Sequence, residues 1–119
     1  MSRRPSRKSG RDAPDRPLFT PAAERDLREA TRWIAHDNPA AATAMLQAVL
    51  IAARRLRERP QLGRIQDNLA PRRYRFWSLP GFRYLIVYDT EADPPHIVRV
   101  LHTARDLPAI LRDLEQDGL

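Results

Sequence analysis

A chain of 119 residues holds one domain with a thin core, and its lack of cysteine excludes disulfide frameworks and thiolate metal sites. Its net charge of +6 is unevenly spread: residues 54–83 carry nine basic and two acidic groups, whereas 18–53 and 84–119 are each net negative. Three scattered histidines (His36, His96, His102) show no metal-ligand spacing, and no apolar run reaches the roughly 20 residues of a membrane span. The basic N-terminus is followed by no apolar segment of the secretory kind, so the expectation is a soluble cytoplasmic protein with no metal, cofactor or membrane.

Residues 1–16, "MSRRPSRKSGRDAPDR", are polar and Arg-rich, a composition that cannot bury enough surface to offset ordering. They predict a disordered basic tail ahead of a single domain over 17–119. Leu18–Thr20 reads as a short edge strand. Thr20 before Pro21 then predicts an N-cap and first helical position. Ala23, Leu27, Ala30, Thr31 and Ile34 recur at helical spacing, and Asn38–Pro39 ends that helix and caps the next. The second helix runs to Pro60 with Met45, Leu46, Val49, Ala53 and Leu56 as its apolar stripe. Arg54, Arg55, Arg57 and Arg59 load its C-terminal turns, where cations suit the helix dipole. So tight a connection predicts an antiparallel hairpin.

Beyond the loop "PQLGRIQDNLAP" the periodicity changes. "RRYRFWSL", "FRYLIVYD" and "HIVRVLHT" are rich in aromatic and β-branched residues and are separated by turn signals at 80–81 and 90–95. They predict a three-stranded antiparallel meander, and "DLPAILRDLEQ" predicts a short closing helix. The fold class is therefore α+β: a helix hairpin packed on a small antiparallel sheet of three or four strands.

Alternation on the middle strand places Arg83, Leu85 and Val87 on one face, with Tyr84, Ile86 and Tyr88 on the other. On the last strand it groups Val98, Val100 and His102, opposite Ile97, Arg99 and Leu101. An RNA-cleaving site needs a proton-transfer group and cations around the scissile phosphate. Arg83, His102 and Arg105 are the candidates for that role. A hydrogen-bonded structural histidine, with Arg105–Asp106 pairing with or capping the last helix, is the other reading. The basic band interleaves Tyr74, Phe76 and Trp77 with arginines. That pattern suits a single-stranded nucleic-acid platform, an amphipathic strand with solvated arginines, or a docking surface for an acidic partner. Arg54, Arg73, Arg75, Trp77, Arg83 and Arg105 are the candidate partner contacts.

Read in order, "TPAAERDL", "DNP", "P.LGR", "RYLIVY" and "VLH.ARD" resemble the ParE-type toxins of the ParE/RelE superfamily, over about residues 18–114. The resemblance implies the toxin of a type II toxin–antitoxin pair, silenced by a small antitoxin, with contact to DNA only through the antitoxin complex. ParE-type members poison DNA gyrase by binding it, without a cofactor; RelE-type members cut mRNA on the ribosome. RelE-type enzymes tend to carry a cation on the middle strand in a motif like "RVLY" and often end in a reactive Tyr. Here that motif reads "LIVY", with Leu85 in the cation's place and Arg83 two residues earlier, and no Tyr follows Tyr88. The resemblance therefore points to gyrase inhibition, with a ribosome-dependent endoribonuclease as the alternative.

Overall fold

The computed structural model describes residues 18–114; the tail expected over 1–16 lies outside them, as do residues 115–119. The elements run β1 (Leu18–Phe19), α1 (Pro21–Asp37), α2 (Pro39–Glu58), a 3₁₀ turn (Pro60–Leu62), β2 (Tyr74–Leu79), β3 (Tyr84–Asp89), β4 (His96–His102) and α3 (Leu107–Leu111). The sheet order is β1-β4-β3-β2; β1 runs parallel to β4, and the other pairs are antiparallel. The architecture is thus α+β, as the sequence predicts.

Both predicted N-caps form. The Thr20 hydroxyl accepts from the Ala23 N–H, and the Asn38 side chain accepts from the Ala41 N–H, each ahead of a proline at the start of its helix. The Leu79–Phe82 turn has Pro80 and then Gly81 at φ +83°, closed by the Phe82 N–H on the Leu79 carbonyl. That is the geometry of a type II turn, whose third position requires the positive φ that glycine adopts freely.

The sheet is covered on both faces. The helix hairpin packs on one through Ala23, Met45, Val49 and Leu56, which meet Tyr84, Ile86, Tyr88, Ile97 and Val100. On the other, Leu111 and Leu114 with Ala70 cover Tyr74, Phe76, Leu85, Val87, Val98 and Leu101. All six residues of β3 are consequently buried. Each large apolar side chain so enclosed contributes about 1.5–3 kcal/mol.

Three expectations need correction. Leu46 is not core: it is 40% exposed, because it lies on the flank of α2 nearest α1 rather than over the sheet. The last helix covers only Leu107–Leu111, its expected end beyond Leu114 lying outside the described residues; Asp106 caps it by accepting from the Ala109 N–H. The third correction is the phase of β4. Tyr88 pairs with Ile97 but Val87 pairs with Arg99, so Val98 is an extra residue, a β-bulge. Val98 therefore joins Leu101 under α3, while Ile97 and Val100 face the hairpin. Simple alternation had put Val98 and Val100 together.

Candidate functional site

A bulge interrupts the ladder and leaves backbone groups without strand partners. Here the start of α1 supplies them. The Thr20 hydroxyl donates to the Val98 carbonyl at 3.1 Å, and Asp26 Oδ2 accepts from the Val100 N–H at 2.9 Å. The same carboxylate takes a bidentate fork from Arg99, with Nε at 2.7 Å and Nη2 at 3.0 Å. Both side chains are largely withdrawn from water, at 14% exposure for Arg99 and 8% for Asp26. A pair desolvated to that degree holds only while geometry and extra hydrogen bonds satisfy it, and this one has both. It fastens α1 to β4 at the bulge.

The phase change also turns the end of β4. His102 shares a side with Val100 and Tyr84, facing α1, and so enters an open cleft of about 270 Å³ between that helix and the sheet end. Ala30 and Val100 also line the cleft, with Tyr84, His102, Trp33 and Arg105. Tyr84 and His102 meet edge to face, with centroids 5.0 Å apart at 83°. His102 Nδ1 accepts from the Ala104 N–H at 3.0 Å, which leaves the proton of the neutral ring on Nε2. Burial pushes the Tyr84 phenol above its ordinary value, and the positive charge of Arg105 partly offsets this. Trp33 stands 77% exposed at the edge, a hot-spot residue type in an unusually open setting.

Of the nuclease candidates, His102 and Arg105 line this cleft and Arg83 does not. Arg83 sits in the hairpin loop at φ +56°, its carbonyl accepting from the Thr103 N–H. Leu85, two residues on, is 6% exposed and packed in the cluster under α3. The cleft contains two carboxylates, and Asp26 is already committed to Arg99 and Val100. Among the described residues no three His, Cys, Asp or Glu side chains are grouped to hold a metal ion, and no helix is long and apolar enough to cross a membrane.

The band arginines divide by what they touch. Arg73 forks onto Asp89 at 2.7 and 3.2 Å and lies over the Tyr74 ring. Arg75 donates to the carbonyls of Gln61 and Gly63, tying that loop to β2. Trp77 is half-buried beneath the Arg55 guanidinium, 5.7 Å from its ring centre. Arg54, Arg83 and Arg105 are exposed. Two of the six proposed contacts thus spend their donors inside the molecule.

The fold and this surface define a small α+β protein whose sheet end and basic band suit contact with other macromolecules rather than enclosure of a small substrate. Residues 18–107 match the family described as ParE toxin of type II toxin-antitoxin system, parDE, and the chain belongs to that family. It is accordingly a toxin of a type II toxin–antitoxin system, with a cognate antitoxin as its partner. No curated protein matches it.

Proposed function

We propose that the toxin acts by binding and inhibiting DNA gyrase, not by cleaving RNA. Leu85 is the observation that carries this reading. It occupies the place of the RelE-type cation, and the face it lies on is core, shut under α3 by Leu111 and Leu114. A phosphate could reach that position only if this layer were lifted. The endoribonuclease alternative draws on the meeting of His102, Tyr84 and Arg105 in one cleft. The antitoxin presents acidic and apolar side chains to the basic band and the sheet end, where Arg54, Arg83 and Arg105 are exposed to meet them.

Supercoiling by purified gyrase and cleavage of ribosome-bound mRNA, run side by side, test the proposal. The expected result is inhibition of supercoiling, no cleavage, and toxicity within a few-fold of wild type for His102→Ala. A proton-transfer histidine would instead cost about 10²–10⁴ in rate. If wild type cuts mRNA, and folded His102→Ala and Arg83→Ala both lose toxicity while still binding antitoxin, gyrase inhibition is the wrong reading.

A further inference from the structure

The cleft at the end of β4 gathers hydrogen-bond donors that the fold itself does not use. Tyr84 is only 9% exposed, yet its hydroxyl makes no hydrogen bond among the described residues. Buried hydroxyls ordinarily find a partner, and an exception calls for an explanation. Its neighbours are in a similar state. With Nδ1 of His102 engaged by the Ala104 N–H, the Nε2–H is left over as a donor, and no described residue accepts it. The Arg105 guanidinium has no hydrogen bond or ion pair among the described residues, although its charge acts on the Tyr84 phenol. A hydroxyl, an imidazole N–H and a guanidinium lining one cleft form a donor set suited to an oxyanion.

The α1 side of the cleft has a different character. Asp26, Glu29, Ala30 and Trp33 recur at i, i+3, i+4 and i+7, so one stripe of the helix lines it. Asp26 is held by Arg99 and the Val100 N–H. Glu29 is exposed and has no ion pair among the described residues, and Trp33, one turn further on, is 77% exposed. At about 270 Å³ and open to solvent, the cleft suits a side chain or two from another protein better than an enclosed small molecule.

We infer that this cleft is where the toxin grips its target: a carboxylate side chain of gyrase enters among Tyr84, His102 and Arg105, and the residues beside that carboxylate cover Trp33 and Glu29. The inference rests on the gyrase reading and names the face on which it operates. The mixed charge selects a protein segment over a nucleic-acid strand. Glu29 at the lip repels a continuous line of phosphates, whereas a peptide that carries an acid can carry a base or an apolar residue next to it. Trp33 supplies a large rigid surface of the type that dominates binding energy once covered. Its indole face, with the Glu29 carboxylate one turn away, also accepts a Lys or Arg from the same segment.

Purified gyrase is the probe. Each full-length variant is measured for affinity to gyrase, for affinity to the polypeptide encoded beside the toxin, and for its melting curve. Trp33→Ala and Arg105→Gln are each expected to weaken gyrase binding by at least tenfold, and both positions are exposed, so the melts should match wild type. Arg105→Lys should recover part of the loss, since it keeps the charge but not the fork. Tyr84→Phe removes only the hydroxyl and should weaken binding about three- to tenfold. Its melting curve should equal or exceed that of wild type, because the hydroxyl has no partner in the free toxin to lose. That combination separates a contact from a structural role. Wild-type gyrase affinity in all these variants overturns the cleft assignment and leaves the gyrase reading standing. If Trp33→Ala and Tyr84→Phe weaken binding of the neighbouring polypeptide but not of gyrase, the occupant is the antitoxin and the inference is wrong. It is equally wrong if a labelled single-stranded oligonucleotide binds wild type, and Tyr84→Phe and Arg105→Gln lose that binding while keeping full gyrase affinity. A wild type that does not bind gyrase at all overturns the gyrase reading, and the inference with it.

Discussion

Replacing Asp26 by Ala attacks the join between α1 and the bulge at its centre. Three bonds end on this carboxylate: two from Arg99 and one from the Val100 N–H. Truncation takes both of these bonds from a guanidinium whose side chain is 14% exposed, and it leaves an N–H that has lost its acceptor. Breaking a buried pair by removing one partner costs about 3–5 kcal/mol, mainly as the penalty on the charge left behind. Against a total stability of roughly 5–15 kcal/mol, that is a large share. With a urea slope of about 1.5 kcal/mol per M, the unfolding midpoint should fall by roughly 2–3 M. The companion Asp26→Leu/Arg99→Met removes both charges, and it should recover much of the loss. Equilibrium urea unfolding followed by circular dichroism measures all three. A cost below about 1 kcal/mol for Asp26→Ala would refute the reasoning, because it would mean that the bonds to this carboxylate are readily replaced.

Gly63→Ala should destabilise by about 1–3 kcal/mol. The added Cβ would lie 2.6 Å from the Tyr88 ring and hydroxyl and 3.0 Å from the Phe76 carbonyl. Moving the phenol away breaks the bond it accepts from the Gly63 N–H and the one it donates to the Pro60 carbonyl; a thermal melt equal to wild type would contradict this. Burial raises the phenols of both Tyr84 and Tyr88 above the ordinary value of 10.0. The folded state therefore favours their neutral forms: this stability is complete below pH 10 and declines as pH rises through the folded values. Tyr88→Phe should blunt the alkaline decline in a pH series of melts, and an unchanged slope would count against it. Finally, Arg73→Ala should cost more than Arg72→Ala. The first breaks a fork onto Asp89, which is 12% exposed, and the second a bond to Asp67, which is 67% exposed. Values of about 1–2 kcal/mol and under 0.5 kcal/mol are expected by denaturation, and the reverse order would show that burial is not what separates them.

Much of this fold is legible in the chain because local chemistry and global topology agree. Thr20–Pro21 and Asn38–Pro39 cap and start their helices by rules that involve only neighbouring residues. Pro80–Gly81 likewise forms a turn on its own terms. Val98 behaves differently: a bulge depends on partners 78 and 74 positions away in sequence, as the bonds from Thr20 and to Asp26 demonstrate. Period-two reasoning on β4 alone cannot find it. Asp26 leaves a faint trace, since it is an acidic residue between Ala22–Ala23 and Ala30 on a face that is otherwise buried. Arg99 is a lone cation in an apolar strand. Pairing the two was the available clue. Trp33 and Leu46 left none, because apolar residues at helical spacing are assigned to the core unless something shows that no element covers them.

The burial of β3 from both sides bears on how readily a protein of this shape could change trade. An arginine introduced at Leu85 would not simply add a reactive group. It would carry a charge into a layer sealed by Leu111 and Leu114, at a desolvation cost of several kcal/mol. Relief would require those two leucines, and with them α3, to move aside or be lost. The substitution and the uncovering are each damaging alone, and only together would they open the sheet to a phosphate. A single mutational step toward nuclease chemistry is therefore closed on this strand, and the layer formed by α3 and Leu114 is what closes it.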